Sequence, residues 1–187
     1  MAGVALFVLE SVGAARPIGT HAVDLSNRTM VLDTAPPSGE LLTKVAGMCA
    51  DARQNEEVLA HMLITGPTSL GVAVARFVSR EMGIGIREIP ALALTRPAEV
   101  AVHLADLERD DILLIADIGQ MPNQCEALLR QAMRDFKMDI PVGTGLAQRV
   151  IQLLLAPITV IGVTTHSSTL SSSLNDLFAL QPAQWSK

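Results

Sequence analysis

Residues 59–73 read LAHMLITGPTSLGVA, and this stretch decides the fold. Its first half, residues 61–65, is an apolar run of strand length. Its second half opens on Gly66 and Pro67 and leads into residues 70–82, where apolar side chains recur at helical spacing and Gly83 supplies a stop. Strand, glycine-bearing turn and helix in that order begin a βα unit. Gly66 and Gly71 stand at the spacing of the phosphate-binding loop G-x-x-x-x-G-K-[ST], whose backbone amides cradle phosphate. Between and after them lie Pro67, Thr68, Ser69, Leu70, Val72 and Ala73. Val72 occupies the lysine position that reaches the β- and γ-phosphates, and Ala73 the hydroxyl position that holds Mg²⁺. The spacing predicts the turn, while the two residues that handle charge are missing. A glycine pair of this kind is often no more than a tight turn.

The pattern continues outward on both sides. Residues 40–55 predict an amphipathic helix with Leu41, Leu42, Val45, Met48 and Cys49 on one side. Residues 84–89 predict a strand and 97–107 a helix. Residues 111–116, DILLIA, form an apolar strand of the buried parallel kind. Pro122 opens a helix to residue 135. Residues 138–142 and 149–153, around Gly143 and Gly145, predict a β-hairpin. Residues 157–165 predict another buried strand and 170–178 a short helix. Alternating strands and helices predict an α/β sandwich with a mostly parallel central sheet, helices on both faces and a projecting hairpin. Residues 1–38 stand apart: 22–25 and 29–32 read as two short strands around Ser26, Asn27 and Arg28, and Pro36-Pro37 closes the segment.

Composition narrows the function. The chain has 187 residues, is 49% apolar and only 18% charged, and carries a net charge of −5. That is enough apolar matter for one sizeable core, and it excludes disorder over most of the chain. A small acidic domain lacks the clustered Lys and Arg that phosphate contacts need, so direct DNA binding is not expected. No apolar run reaches the ~18 residues of a membrane span. Mean hydropathy is +0.37, which leaves little polar matter for the surface. Two readings fit that value, a face buried against a partner and a larger core. Cys49 and Cys125 are far apart without metal spacing and read as reduced, so an intracellular protein is expected. A basic n-region is missing ahead of residues 4–9, so a cytoplasmic site is expected, with an organellar matrix as the alternative.

From about residue 52 to residue 178 the chain resembles RuvB, the branch-migration motor of Holliday junctions in the AAA+ class of P-loop NTPases. The stretches that carry the likeness are residues 59–71, Glu81-Met82-Gly83, and 104–118 (LADLERDDILLIADI). Residues 132–145 (AMRDFKMDIPVGTG), then Ala147, Arg149 and Ile151, and finally 157–178 (PITVIGVTTHSSTLSSSLNDLF) complete it. The hairpin stretch is the most specific of these. The resemblance implies an AAA+ large domain over residues 39–187, preceded by an extension, 1–38, outside the match. It also implies that a small helical lid and a winged-helix domain would follow residue 178. Nine residues follow here, and the expectation is that both domains are absent.

Residue by residue, the resemblance places the family's chemistry on positions that have lost it. The phosphate lysine falls on Val72, the Mg²⁺ threonine on Ala73, the Mg²⁺ aspartate on Ala116 and the catalytic glutamate on Asp117. The arginine finger falls on Leu177 and the preceding arginine on Asn175. Thr164 and Thr165 keep the sensor threonines. An arginine finger alone contributes ~10³ to 10⁵ in rate. The expectation is therefore a domain that does not turn over ATP, with no cofactor, and with weak ATP or ADP binding through the amides of residues 68–72 as the alternative. The family docks RuvA through its hairpin, which points to Met138, Ile140, Val142 and Ile151 as a partner-binding face. Pro141, on the opposite face, blunts further strand pairing. RuvA-like or RuvB-like subunits, or an unrelated larger complex, are the expected partners. The competing reading is a divergent ATP-dependent branch-migration subunit. His61 and His166 are read as ordinary polar residues, since two histidines without a third ligand do not make a metal site. Glu99, Asp106, Glu108, Asp110 and Asp111 read as a solvated acidic face.

Overall fold

The computed structural model describes residues 39–142, 149–166 and 170–179. The strands expected at 22–32, the hairpin tip at 143–145 and the side chain of Val142 lie outside the described residues. The elements are α1 (Gly39–Asn55), β1 (Met62–Thr65), α2 (Thr68–Met82), β2 (Ile86–Pro90), α3 (Pro97–Ala105), β3 (Ile112–Ala116), α4 (Asn123–Asp135), β4 (Lys137–Val142), β5 (Arg149–Leu154), β6 (Thr159–Thr164) and α5 (Ser172–Asn175). Four strands form a parallel sheet in the order β1-β6-β3-β2, and β4 pairs antiparallel with β5 as a separate ribbon.

Period-two alternation divides the apolar strands between two cores. Met62, Ile64, Ile112, Leu114, Ile161 and Val163 face α1 and α2, where they meet Leu41, Val45, Val74 and Val78. Leu63, Leu113, Ile115 and Val160 face the other way, onto Val100, Leu104, Leu129, Ala132 and Leu174 from α3, α4 and α5. Every residue of β3 and β6 is buried, because these two strands are central and covered on both faces. Each such Ile, Leu or Val contributes roughly 1.5–3 kcal/mol of burial. The arrangement is the α/β sandwich expected, with a mostly parallel sheet and helices on both faces.

Boundaries moved where local chemistry outweighs periodicity. Helix α3 stops at Ala105 and α5 spans only Ser172–Asn175, with Ser171 as its cap accepting from the Leu174 amide at 3.2 Å. The serines at 171–173 favour a cap and a short turn over a long helix. Gly83 ends α2 in the left-handed region, φ 71°, and its amide returns to the Ser79 carbonyl.

Two contacts tie the layers together. A Cβ on Gly71 would stand 2.1 Å from Val163 Cγ2, so α2 lies closer to β6 than any side chain would allow. At the start of β1, His61 bridges three elements. Its Nδ1 accepts from the Val160 amide at 3.0 Å, so Nε2 carries the proton and donates to the Met133 carbonyl at 3.1 Å. Burial holds this imidazole below its ordinary 6.5.

Gly71→Ala is expected to destabilise the fold by about 1–3 kcal/mol, and Val163→Ala in the same chain to recover part of the loss. Denaturant midpoints check both, and an unchanged midpoint for the single variant would refute the packing role. His61 is neutral in the fold and protonates more readily when unfolded. Its contribution is therefore complete above pH 6.5 and is lost as the pH falls below that value. Comparing midpoints at about pH 7.5 and about pH 5.5 should show a smaller drop in His61→Phe than in the native chain.

Candidate functional site

A phosphate cradle needs several backbone amides left free and turned inward. Here α2 begins at Thr68, ahead of the second glycine, and its N-cap is Pro67, which has no N–H. The Leu70 amide donates to the Pro67 carbonyl at 2.9 Å. Helical bonding from Thr68 onward commits the Val72 amide to the Thr68 carbonyl. Thr68 and Ser69, at the first two helical positions, keep amides that the helix does not use. The loop is drawn into the first turn of the helix. Gly66 makes the turn itself at φ 153°, and its amide is held by the Thr164 carbonyl at 2.9 Å. Both glycines are thus accounted for by backbone conformation and packing.

The positions to which the resemblance assigns charged groups carry mostly apolar side chains. Val72 packs against the α1/α2 core and lines a cleft of about 200 Å³ with Ala75, Arg76, Ile86, Glu88 and Leu114. Ala73 is partly buried, and Ala116 is buried at the end of β3. Asp117 follows in the left-handed region, φ 52°; its carbonyl accepts from the Gln120 amide at 2.8 Å and its side chain makes no cap bond. Thr164 is buried and folded back on its own turn, its Oγ1 within 3.1 Å of the His166 amide and carbonyl. Thr165 is exposed. Leu177 is partly buried against the α3/α4 core. No group of three or more His, Cys, Asp or Glu suited to a metal occurs among the described residues. Cys49 and Cys125 are buried free thiols, both pushed up by that burial.

The hairpin places its expected face unevenly. Met138 pairs with Leu153 and Ile140 with Ile151. Met138 is fully buried in the α3/α4 core and Ile140 is partly buried against it. This corrects Met138 as a surface residue: the base of the ribbon is packed on its own domain. Ile151 is 45% exposed. The opposite face carries two exposed apolar residues that the sequence did not mark, Val150 at 65% and Leu154 at 77%. Alternation alone would have found them, but Lys137 and Asp139 on that face made it read as polar. Asp139 fixes the ribbon to α4. Its Oδ2 accepts from Gln131 at 2.8 Å and its Oδ1 from Gln152 at 3.2 Å, bonds that hold its carboxyl below the ordinary range.

The acidic face resolves into local ties. Glu99 caps α3, accepting from Thr95 and Arg96, and is drawn down to about 2 by those bonds. Asp111 accepts from the amides of Gly85 and Glu108, Asp106 pairs with Arg87, and Asp110 with Arg109. No helix of the described residues is long and apolar enough to cross a membrane.

Residues 37–183 match the family described as the Holliday junction DNA helicase RuvB P-loop domain. The RuvB subunits of the Holliday junction branch migration complex from two strains of Lactobacillus delbrueckii subsp. bulgaricus are each 36% identical to this chain over 163 residues. The aligned part is 87% of this chain and 48% of each relative. The chain therefore spans about half the length of the curated relatives it matches. Among solved structures, a point mutant of Thermotoga maritima RuvB aligns at a TM-score of 0.66 and 30% identity, covering 77% of this chain and 45% of that one. The T. maritima RuvB Holliday junction branch migration motor aligns at 0.63 and 28%, covering 77% and 44%. NtrX from Brucella abortus, solved with ADP, shares the fold at a TM-score of 0.55 and 14% identity, over 75% and 34%. Fold and sequence agree, and the chain belongs to the RuvB P-loop domain family of AAA+ proteins.

Proposed function

We propose that this chain is a RuvB-like AAA+ domain that does not turn over ATP and serves as an accessory or scaffold subunit of a protein assembly, through its surface and hairpin. The observation that carries this reading is the start of α2 at Thr68, with Val72 packed where a lysine would reach phosphate. Ala73, Ala116 and Leu177 lack the groups for Mg²⁺ and for charge stabilisation. Charge-assisted contacts of that kind contribute ~1.5–3 kcal/mol each and act as a unit, so losing any one is disabling. The relatives are subunits of a branch migration complex, and RuvA-like or RuvB-like subunits are the partners this reading favours. An unrelated larger complex is the alternative. A net charge of −5 supports binding protein rather than DNA. A second reading, an ATP-dependent branch-migration subunit in the cytoplasm, is favoured by the names of those relatives. It would need a neighbouring subunit to supply the missing groups.

The two readings part on nucleotide. The native chain is expected to show no Mg²⁺-dependent ATP hydrolysis, measured by phosphate release. The Val72→Lys/Ala73→Thr/Ala116→Asp variant is expected to gain calorimetric ATP binding without turnover. Hydrolysis by the native chain, alone or mixed with RuvB, would overturn the proposal. Affinity purification of the tagged protein from the cells that carry it, beside Ile151→Asp/Leu154→Asp, tests the hairpin. Partners are expected with the native chain and lost with the variant, whose fold circular dichroism would verify. Partners retained by the variant would exclude the hairpin as the attachment surface.

A further inference from the structure

An open groove of about 430 Å³ lies between α4 and α5, lined by Ala127, Arg130, Gln131, Arg134, Ser173 and Leu177. It is on a different surface from the cradle. Its α4 residues follow the i, i+3, i+4, i+7 spacing of one helix face, and Ala127 is the short side chain that leaves the floor open. The walls are held: Arg130 donates to Ser173 Oγ on α5, and Gln131 to Asp139 on β4. Among the described residues Arg130 has no carboxylate within ion-pair distance. Arg134 pairs with its chain neighbour Asp135 at 3.1 Å, and its side chain stays 62% exposed. An exposed pair of this kind is weak and exchanges readily.

We propose that this groove binds an extended acidic segment of a protein partner, with two carboxylates on Arg130 and Arg134 and an apolar side chain against Leu177. The guanidinium fork matches a carboxylate bidentately. Side chains one helical turn apart are rooted ~6 Å from each other. Alternate side chains of an extended strand are ~6.8 Å apart, so acidic residues at every second position meet both arginines. A nucleic-acid backbone fits less well. It needs a longer row of cations, whereas Asp135 and Asp139 flank these two and the whole chain is acidic. A lone phosphate would leave the Leu177 end unused.

The test uses the full chain and a fluorescein-labelled peptide, Ala-Glu-Thr-Glu-Thr-Leu-Ala, whose glutamates and leucine share one face of an extended strand, followed by anisotropy. Saturable binding is expected, weakening with salt, absent for the same peptide with glutamine in place of glutamate, and reduced about tenfold or more in Arg130→Gln/Arg134→Gln. Arg134→Gln alone, at an exposed position, should give a partial loss, and Arg130→Lys should not restore full binding because the fork is lost. Ile151→Asp/Leu154→Asp should leave binding unchanged, which separates this groove from the hairpin. No binding at about 1 mM peptide, equal binding by the double variant, or equal competition by inorganic phosphate would overturn the proposal. A single-stranded oligonucleotide that binds where the peptide does not would overturn it as well.

Discussion

The approach of α2 to β6 at Gly71 is the constraint on which the rest depends. With Val163 Cγ2 at 2.1 Å from where a Cβ would be, helix and strand can close only because that position carries none. The closure brings Val74, Ala75 and Val78 onto Ile161 and Val163, and so builds the core on that face. It also sets where the chain turns out of β1, and Gly66 makes that turn with its amide held at the end of β6. A glycine pair that serves phosphate in an active loop serves the sheet in this chain. Packing at Gly71 gives the glycine a role that does not depend on a neighbouring lysine or hydroxyl.

The opposite face depends on a second set of ties. Its helices cover Leu63, Leu113, Ile115 and Val160, and the hairpin is locked to the same layer by Met138 and by the Gln131–Asp139–Gln152 bonds. His61 joins this layer to the sheet, using one imidazole nitrogen on β6 and the other at the end of α4. The ribbon is thus a fixed extension of α4. Its exposed apolar side chains, Val150, Ile151 and Leu154, are presented from a rigid base, which lowers the ordering cost of any association made there.

Most of the architecture was legible in the sequence, for a physical reason. Residues 112–116 are apolar throughout and residues 157–165 carry only threonines as polar side chains, and a strand covered on both faces needs such a run. The glycine stop at 83 and the proline start at 122 marked helix ends within a residue. What failed was what tertiary context decides. Met138, Ile140 and Ile151 share one face by alternation, but alternation cannot say that the base of the face is buried while its far end is open. The start of α2 was equally hidden. Thr68 and Ser69 read as loop residues beside a glycine motif, and the helix reaches back over them. The groove beside Arg130 had no signature at all, since its walls come from residues more than forty positions apart.

The departures from the family have a common direction. On the proposed reading, Val72, Ala73, Ala116 and Leu177 are side chains that pack where the family carries polar or charged groups. An unpartnered lysine or aspartate at these half-buried positions would have to meet a desolvation cost that bound Mg²⁺-nucleotide normally offsets. If nucleotide does not bind, as proposed, apolar replacement stabilises the fold, and the first turn of α2 can tighten over the loop. On that proposal, loss of the chemistry and preservation of the fold follow from one cause. Outside that region, Arg130 on α4 is a charge with no carboxylate partner among the described residues. An arginine on an open groove is where a contact with another molecule would be expected to act.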